Sequence, residues 1–169
     1  MNSEQLRAIQ APLKTKYKEN PESALVTLRA KSTLGEGVSC NVETGKKLAQ
    51  VAGLHPATGG TGTELCSGDM LLEALTACAG VTMKAVATSL GIDIKEGTVS
   101  AEGDIDFRGT LAVSKEAPVG FKEIRLSFEL DTGATKEQLE SLIKLTERYC
   151  VVYQTLKSSP NMIVTYRTK

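Results

Sequence analysis

The longest apolar-rich segment of the chain runs from Met70 to Leu90, and it constrains the fold more than any other feature. Polar side chains such as Glu73 and Lys84 interrupt it, so it lacks the run of about 20 apolar residues that a membrane-spanning helix needs. Its apolar residues instead recur at helical spacing and form a wide face. That face consists of Leu71, Leu75, Cys78, Thr82 and Val86, with Leu72, Ala79 and Met83 beside it. The segment therefore predicts a central helix buried within a globular protein.

Both ends of this helix carry sequence signals. Ser67 and Asp69 are each able to cap its first N–H groups, and Gly91 is a suitable residue just beyond its last turn. The preceding segment, residues 55–63, is rich in glycine and threonine. Because it lacks the lysine of a phosphate-binding P-loop, we interpret it as a flexible lead-in to the helix.

Strand patterns lie on both sides of the central helix, and a second helix follows them. Thr135 and Gln138 match a capping box at the start of that helix, and a short helical piece is predicted over 151–156. Alternating residues predict strands over 24–30, 38–42, 49–52, 99–107, 121–130 and 162–166, with a hairpin turn at 34–37. Strands and helices are thus segregated along the chain, which is typical of the α+β class.

The N-terminal segment precedes the first predicted strand. Residues 3–13 predict a short helix that ends at Pro12, and a turn follows at 20–23. We therefore predict a helical extension over residues 1–23 and a main domain over 24–169.

Composition excludes several classes of function. Twenty basic residues balance twenty acidic ones, and aromatic residues make up 4% with no Trp. A balanced charge and few aromatic rings argue against a nucleic-acid partner or a membrane-surface partner. The N-terminus also lacks the apolar stretch of a secretory signal peptide. We therefore expect a cytoplasmic protein whose cysteines stay reduced.

The four cysteines are the main candidates for chemistry. No two of them form a Cys-x-x-Cys pair, and His55 is the only histidine, so neither a metal site nor an organic cofactor is expected. Taken alone, Cys78 on the apolar stripe is a small core residue, and we interpret Cys40 and Cys66 as structural thiols. His55 is interpreted as an ordinary loop residue.

Three stretches together resemble the OsmC/Ohr family. They are the Gly-rich loop Gly59–Gly62, the helical segment Gly68–Cys78 and the segment Glu147–Leu156, which contains Cys150. With the matching order of strands, the resemblance covers roughly residue 24 to the C-terminus. It implies an OsmC-like fold, with two antiparallel sheets packed around two central helices in an intertwined homodimer.

The resemblance also implies an activity. Family members reduce organic hydroperoxides: one cysteine attacks the peroxide, a second traps the sulfenic acid as a disulfide, and an external dithiol reductant resets the pair. By position, Cys78 is similar to the attacking thiol and Cys150 to the resolving one. The apolar side chains around Cys78 favour a small hydrophobic or bulky apolar peroxide as substrate.

The sequence departs from the family pattern at three places. The family's arginine between the first two strands is absent from residues 33–37, and Gly68 stands where a glutamate lies ten residues before the attacking cysteine. Val151 replaces the usual proline after the second cysteine. Candidate supporting residues are Arg29 (or Lys31), Asp69 and Glu73.

Two other functions are compatible with these residues. The missing arginine and glutamate favour a non-catalytic dimer that binds a small hydrophobic ligand or senses redox state. A thiol transferase that uses Cys78 alone is a third hypothesis, which a dispensable Cys150 would support.

Overall fold

The computed structural model describes residues 1–43 and 49–168, which form helices and two β-sheets. The helices are α1 (Ser3–Glu19), α2 (Ser67–Leu90), α3 (Phe107–Thr110), α4 (Lys136–Tyr149) and α5 (Val151–Lys157). The strands are β1 (Lys31–Leu34), β2 (Cys40–Glu43), β3 (Ala49–Gly53), β4 (Leu65–Cys66), β5 (Glu96–Ile105) and β6 (Phe121–Asp131). Short 3₁₀ helices lie at Pro21–Ala24 and Pro56–Thr58. The predicted α+β class is confirmed.

The two sheets differ in size and pairing. The first has the order β1-β2-β3-β4, and its first three strands form an antiparallel meander, with Gly35 N–H bonded to Ser39 C=O at the hairpin turn. The second is the long antiparallel pair β5-β6. The prediction of purely antiparallel sheets is wrong for β4, which pairs with β3 in parallel. The chain returns through residues 54–64, so β4 runs in the same direction as β3.

Helix α2 supplies the centre of the core. Its buried residues, Leu75, Ala79, Met83 and Ala87, recur every four positions and face β5, α4 and α5. The buried stripe is therefore rotated from the predicted one, and Leu71 is 37% exposed. By length and composition α2 is also able to cross a membrane. Its contacts with β5 and α4 make it a core helix here.

The ends of α2 show one confirmed and one wrong prediction. Gly91 adopts the left-handed conformation, with φ of 69°, and its N–H closes the last turn as predicted. The N-cap residue is Cys66, not Ser67 or Asp69, and its side chain makes no capping hydrogen bond. Strand β4 leads directly into the helix, so position 66 is the last residue with extended backbone angles.

Helix α4 packs its apolar side against α2. Leu142 and Thr146 are buried, and the Thr146 hydroxyl donates to the Leu142 carbonyl at 2.8 Å. At its start, Thr135 and Gln138 form the predicted capping box with both reciprocal hydrogen bonds. Leu142 lies in one core cluster with Met83, Ala87, Ile92 and Ile94.

Both termini correct the sequence-based predictions. Helix α1 continues through Pro12 to Glu19, so the prediction that it ends at Pro12 is wrong. The proline removes one N–H donor from the helix but does not end it. The expected strand over 24–30 is absent: a 3₁₀ turn ends at Ala24, and β1 begins only at Lys31, opposite Glu43. The expected strand over 162–166 is an exposed segment without regular structure. Both segments alternate apolar and polar residues, but neither pairs with another strand, so neither belongs to a sheet.

The core cluster around Leu142 generates a stability prediction. Leu142→Ala is expected to lower the free energy of unfolding by about 2–5 kcal/mol, because it opens a cavity where the side chain is fully buried. Val113→Ala, at a loop residue that is 71% exposed, serves as the control and is expected to change stability by about 0.5 kcal/mol or less. Urea unfolding followed by circular dichroism measures both. Equal effects of the two substitutions would contradict this packing.

Candidate active site

The fold brings together the two cysteines of the predicted couple. Cys78 lies halfway along α2, and Cys150 lies at the junction of α4 and α5, where it ends one helix and caps the next. Both thiols are free and belong to one buried cluster with Leu75 and Ala79. Cys150 is completely buried, whereas Cys78 is partly accessible. The two thiols are near enough for each to shift the pKa of the other.

The surroundings of Cys78 favour its thiolate form. Burial raises the pKa of Cys78, but hydrogen bonds from the backbone N–H of Val152, the Cys150 thiol, the backbone N–H of Val151 and the Thr82 hydroxyl together lower it. The balance holds the pKa of Cys78 below its usual value. A thiolate is the nucleophilic form of cysteine, so this sulfur is the more reactive of the pair.

The surroundings of Cys150 have the opposite effect. Burial raises the pKa of Cys150, and the neighbouring Cys78 raises it further, against a lowering by the Tyr153 N–H, which donates to Cys150 Sγ at 3.5 Å. The two thiols of the cluster therefore differ in the direction in which the fold shifts their pKa.

An apolar groove of about 520 Å³ lies between β6, α4 and α5, and neither Cys78 nor Cys150 is among its lining residues. Six of its residues also pack in the cluster around Cys150: Leu75, Ile124, Leu126, Phe128, Tyr153 and Leu156. Its charged residues are Lys122, Glu123, Glu147 and Lys157. The groove therefore offers an apolar molecule a place next to the thiol cluster.

The predicted supporting residues lie elsewhere in the single chain. Arg29 is exposed in the irregular segment before β1, and Asp69 and Glu73 are exposed on α2. None of the three contributes to the shifted pKa of Cys78. Lys31, the alternative to Arg29, pairs with Glu43 at 3.1 Å. A supporting role for these residues stays a prediction.

Sequence reasoning missed the groups that act on Cys78. Thr82 follows Cys78 by one helical turn, so its spacing could have identified it. The N–H groups of Val151 and Val152 carry no signal in their side chains, because any residue except proline supplies one. Their position depends on how α5 lies against α2.

The other two thiols lie apart from this couple. Cys66 lines a second cleft of about 330 Å³ with Asp69 and His55, whose ring stacks on Phe107 with centroids 4.9 Å apart. Cys40 lies on β2 and is half-buried. Across residues 1–43 and 49–168, no three His, Cys, Asp or Glu side chains converge as a metal site would require.

Comparison with known families identifies this architecture. The family model described as OsmC-like protein matches residues 60–165, which is more than half of the chain, so the protein belongs to this family. Residues 1–59 and 166–169 lie outside the match. No curated protein matches the sequence.

Several solved structures share the fold at low sequence identity. An OsmC-like protein from Mycoplasma pneumoniae has a TM-score of 0.67 at 18% identity, covering 79% of this chain and 89% of its own. An organic hydroperoxide resistance protein from Elizabethkingia anophelis has a TM-score of 0.64 at 21% identity, and the match covers 80% of this chain and 91% of that protein. A Legionella pneumophila protein described as organic hydroperoxide resistance protein OsmC has a TM-score of 0.63 at 20% identity, and the match covers 80% of this chain and 92% of that protein. At these identities the likeness shows the fold.

The opposite pKa shifts generate a prediction about thiol reactivity. In the reduced protein, Cys78 is expected to react with iodoacetamide with a midpoint pH below that of the urea-unfolded chain, because its folded pKa is lowered. Cys150 is expected to react only at higher pH or after unfolding. Mass spectrometry of alkylated peptides across a pH series measures each site. A Cys78 midpoint at or above that of unfolded protein would refute the assignment.

Proposed function

We propose that this protein is a thiol-dependent peroxidase that reduces organic hydroperoxides through Cys78 and Cys150. The observation that supports the proposal is that the fold brings Cys78 and Cys150, far apart in sequence, into one core cluster. The names of two structural relatives, both organic hydroperoxide resistance proteins, support the same class of reaction.

In the first step, the Cys78 thiolate attacks the distal oxygen of the hydroperoxide. An S–O bond forms while the O–O bond breaks, and the departing alkoxide takes up a proton and leaves as an alcohol. Cys78 becomes a sulfenic acid, so the sulfur is oxidised by two electrons and the peroxide is reduced. The lowered pKa of Cys78 favours the thiolate that makes this attack.

In the second step, Cys150 traps the sulfenic acid. Its sulfur forms an S–S bond with Cys78, the S–O bond breaks, and the thiol proton leaves with the hydroxide as water. The raised pKa of Cys150 makes it the less readily ionised thiol of the two, which suits the order in which Cys78 reacts first. An external dithiol then reduces the disulfide by exchange and restores both thiols.

The groove favours an apolar substrate. Its walls are aliphatic and aromatic, and it shares Leu75 and Tyr153 with the cluster that holds both cysteines. A hydroperoxide with a long or aromatic substituent is able to bury that substituent there, which contributes about 25 cal/mol per Å² of apolar surface removed from water. We therefore expect cumene or lipid hydroperoxides to be better substrates than hydrogen peroxide.

A mutant series tests the couple. Cys78→Ser is expected to abolish cumene hydroperoxide consumption with a dithiol reductant, and Cys150→Ser to leave a sulfenic acid that overoxidises without sustained turnover. Cys40→Ser serves as the matched control and is expected to turn over like the parent chain, because Cys40 lies on β2 outside the thiol cluster.

Peptide mapping after one equivalent of hydroperoxide provides the decisive readout. A Cys78–Cys150 disulfide with Cys40 and Cys66 still free supports the proposal. Four persistent thiols, or a Cys78→Ser protein as active as its parent, would refute it.

The groove also supports a second candidate function. A non-catalytic protein of this fold would bind a small hydrophobic ligand beside the thiols or sense redox state through them. Two results together would favour this candidate. The parent protein would show no turnover of hydroperoxide, and a fluorescent fatty-acid probe would bind the Cys78→Ser/Cys150→Ser double variant as tightly as it binds the parent. A protein that uses Cys78 alone as a thiol transferase would tolerate Cys150→Ser.

We further propose that the protein acts as a cytoplasmic homodimer. A single chain leaves large apolar side chains exposed on the first sheet and on α2, including Leu34 at 89% and Val81 at 74%. Among the described residues, the two sheets have few contacts with each other. The first sheet contacts α2 mainly through β4. A second copy is the occupant that we expect on these surfaces, because it would cover the same residues on both chains.

Light scattering after gel filtration tests the dimer. Val81→Glu is expected to shift the protein towards the monomer, because it places a charge in the covered surface. Val119→Glu is the matched control at a loop residue that is 68% exposed, and it is expected to leave the mass unchanged. A monomeric parent protein would contradict the proposal.

A further inference from the structure

The apolar groove and the second cleft are neighbours along α2. Among the described residues, Phe121 is the only one that lines both of them. On α2, Leu75 lines the groove, whereas Leu72 and Gly68, about one and two turns nearer the start of the helix, line the cleft. The side chain of Phe121 therefore lies where the groove ends and the cleft begins.

The ring of Phe121 occupies space beside two glycines. A Cβ atom at Gly103 on β5 would collide with the ring, so the ring is able to lie there only because this residue has no side chain. A Cβ atom at Gly68 would lie 3.6 Å from the Cζ atom of the ring, which is an ordinary contact distance. The ring therefore lies between β5 and the first turn of α2.

On β6, Phe121 lies at the end of the groove that is remote from the thiols. The groove residues of this strand that also pack in the cluster around Cys150 are Ile124, Leu126 and Phe128. Phe121, at the start of the strand, is not part of that cluster. The groove thus runs along β6 from the thiol cluster towards the Phe121 ring.

The spacing along α2 gives the same direction. Gly68, which contacts the ring, precedes Cys78 by ten residues, and this corresponds to about 15 Å along the helix axis. An alkyl chain that begins near Cys78 and follows the groove therefore meets the Phe121 ring at the far end. Behind the ring, the cleft carries the carboxylates of Asp69 and Asp104.

We propose that Phe121 closes the far end of the groove and thereby limits the length of the alkyl chain that a substrate buries there. This inference rests on the proposed function, because it takes the groove as the site for the organic part of a hydroperoxide. Phe121 is then a specificity-determining residue that does not touch the reacting sulfur. Substrates whose chains end before the ring are preferred over longer ones.

Straight-chain 1-alkanols from hexanol to tetradecanol test the limit on the reduced full-length protein. These alcohols are the products of alkyl hydroperoxide reduction and do not react with thiols, so displacement of a fluorescent fatty-acid probe measures binding without turnover. Each further buried methylene strengthens binding by roughly fourfold. In the parent protein, affinity is therefore expected to rise with chain length until the chain meets the ring and to stay level for longer alkanols.

Phe121→Ala is expected to move this limit to longer chains, because the space left by the ring continues the groove. With two more methylenes buried, the longest alkanols are expected to bind roughly tenfold tighter to the variant than to the parent. Phe128→Ala is the matched control, because Phe128 lines the groove but not the cleft. It removes the same ring at the thiol end, so we expect weaker binding at every length and an unchanged limiting length.

Phe121→Leu provides a second variant if Phe121→Ala does not fold, as judged by circular dichroism. Its smaller side chain is expected to move the limit in the same direction. An equal limiting length in the parent and in the folded variants at residue 121 would overturn the inference. A parent protein whose affinity rises without a limit up to tetradecanol, or one that binds none of the alkanols, would also overturn it.

This binding measurement is separate from the test of the peroxidase proposal. A length limit that Phe121→Ala moves, in a protein that consumes no hydroperoxide, would leave the inference standing and refute the enzyme. Turnover of alkyl hydroperoxides at Cys78, with the same limiting length in the parent and in Phe121→Ala, would do the reverse.

Discussion

The packing of α2 against α4, α5 and β5 is the interaction on which the other features depend. Its four buried residues, spaced one turn apart, form the centre of both core clusters. Cys78 lies one turn after Leu75 and next to Ala79 on the same helix, so its partly accessible side chain packs against the core. The contact between α2 and α5 then determines which backbone groups meet that sulfur.

The thiol pair shows how one fold gives two cysteines different states. Both are removed from water, which by itself raises a thiol pKa. Cys78 gains enough hydrogen-bond donors to reverse that effect, whereas Cys150 gains one N–H and faces the neighbouring sulfur. The asymmetry supports the order of attack and resolution that we propose, and it requires no charged side chain in the described part of the chain.

Two local sequence signals were confirmed, although the cap of α2 and the end of α1 were not, and two patterns that need a strand partner failed. Gly91 and the Thr135 capping box were identified correctly because each acts within four residues along the chain. Residues 24–30 and 162–166 alternate as strands do, yet neither has a hydrogen-bonded neighbour here. The supporting roles assigned to Arg29 and Asp69 depended on the resemblance, and a single chain leaves both side chains exposed.

The sequence by itself determined the α+β class and the family, because periodicity and motif spacing are properties of the chain. It did not determine that Cys78 and Cys150 share one cluster, nor the opposite directions in which their pKa values are shifted. Cys78 and Cys150 are far apart in sequence. The groups that lower the pKa of Cys78 include the backbone N–H groups of Val151 and Val152, which cannot be recognised from the residue types at these positions. Only the tertiary structure decided this, because hydrogen bonding to a thiolate depends on where α5 begins relative to α2.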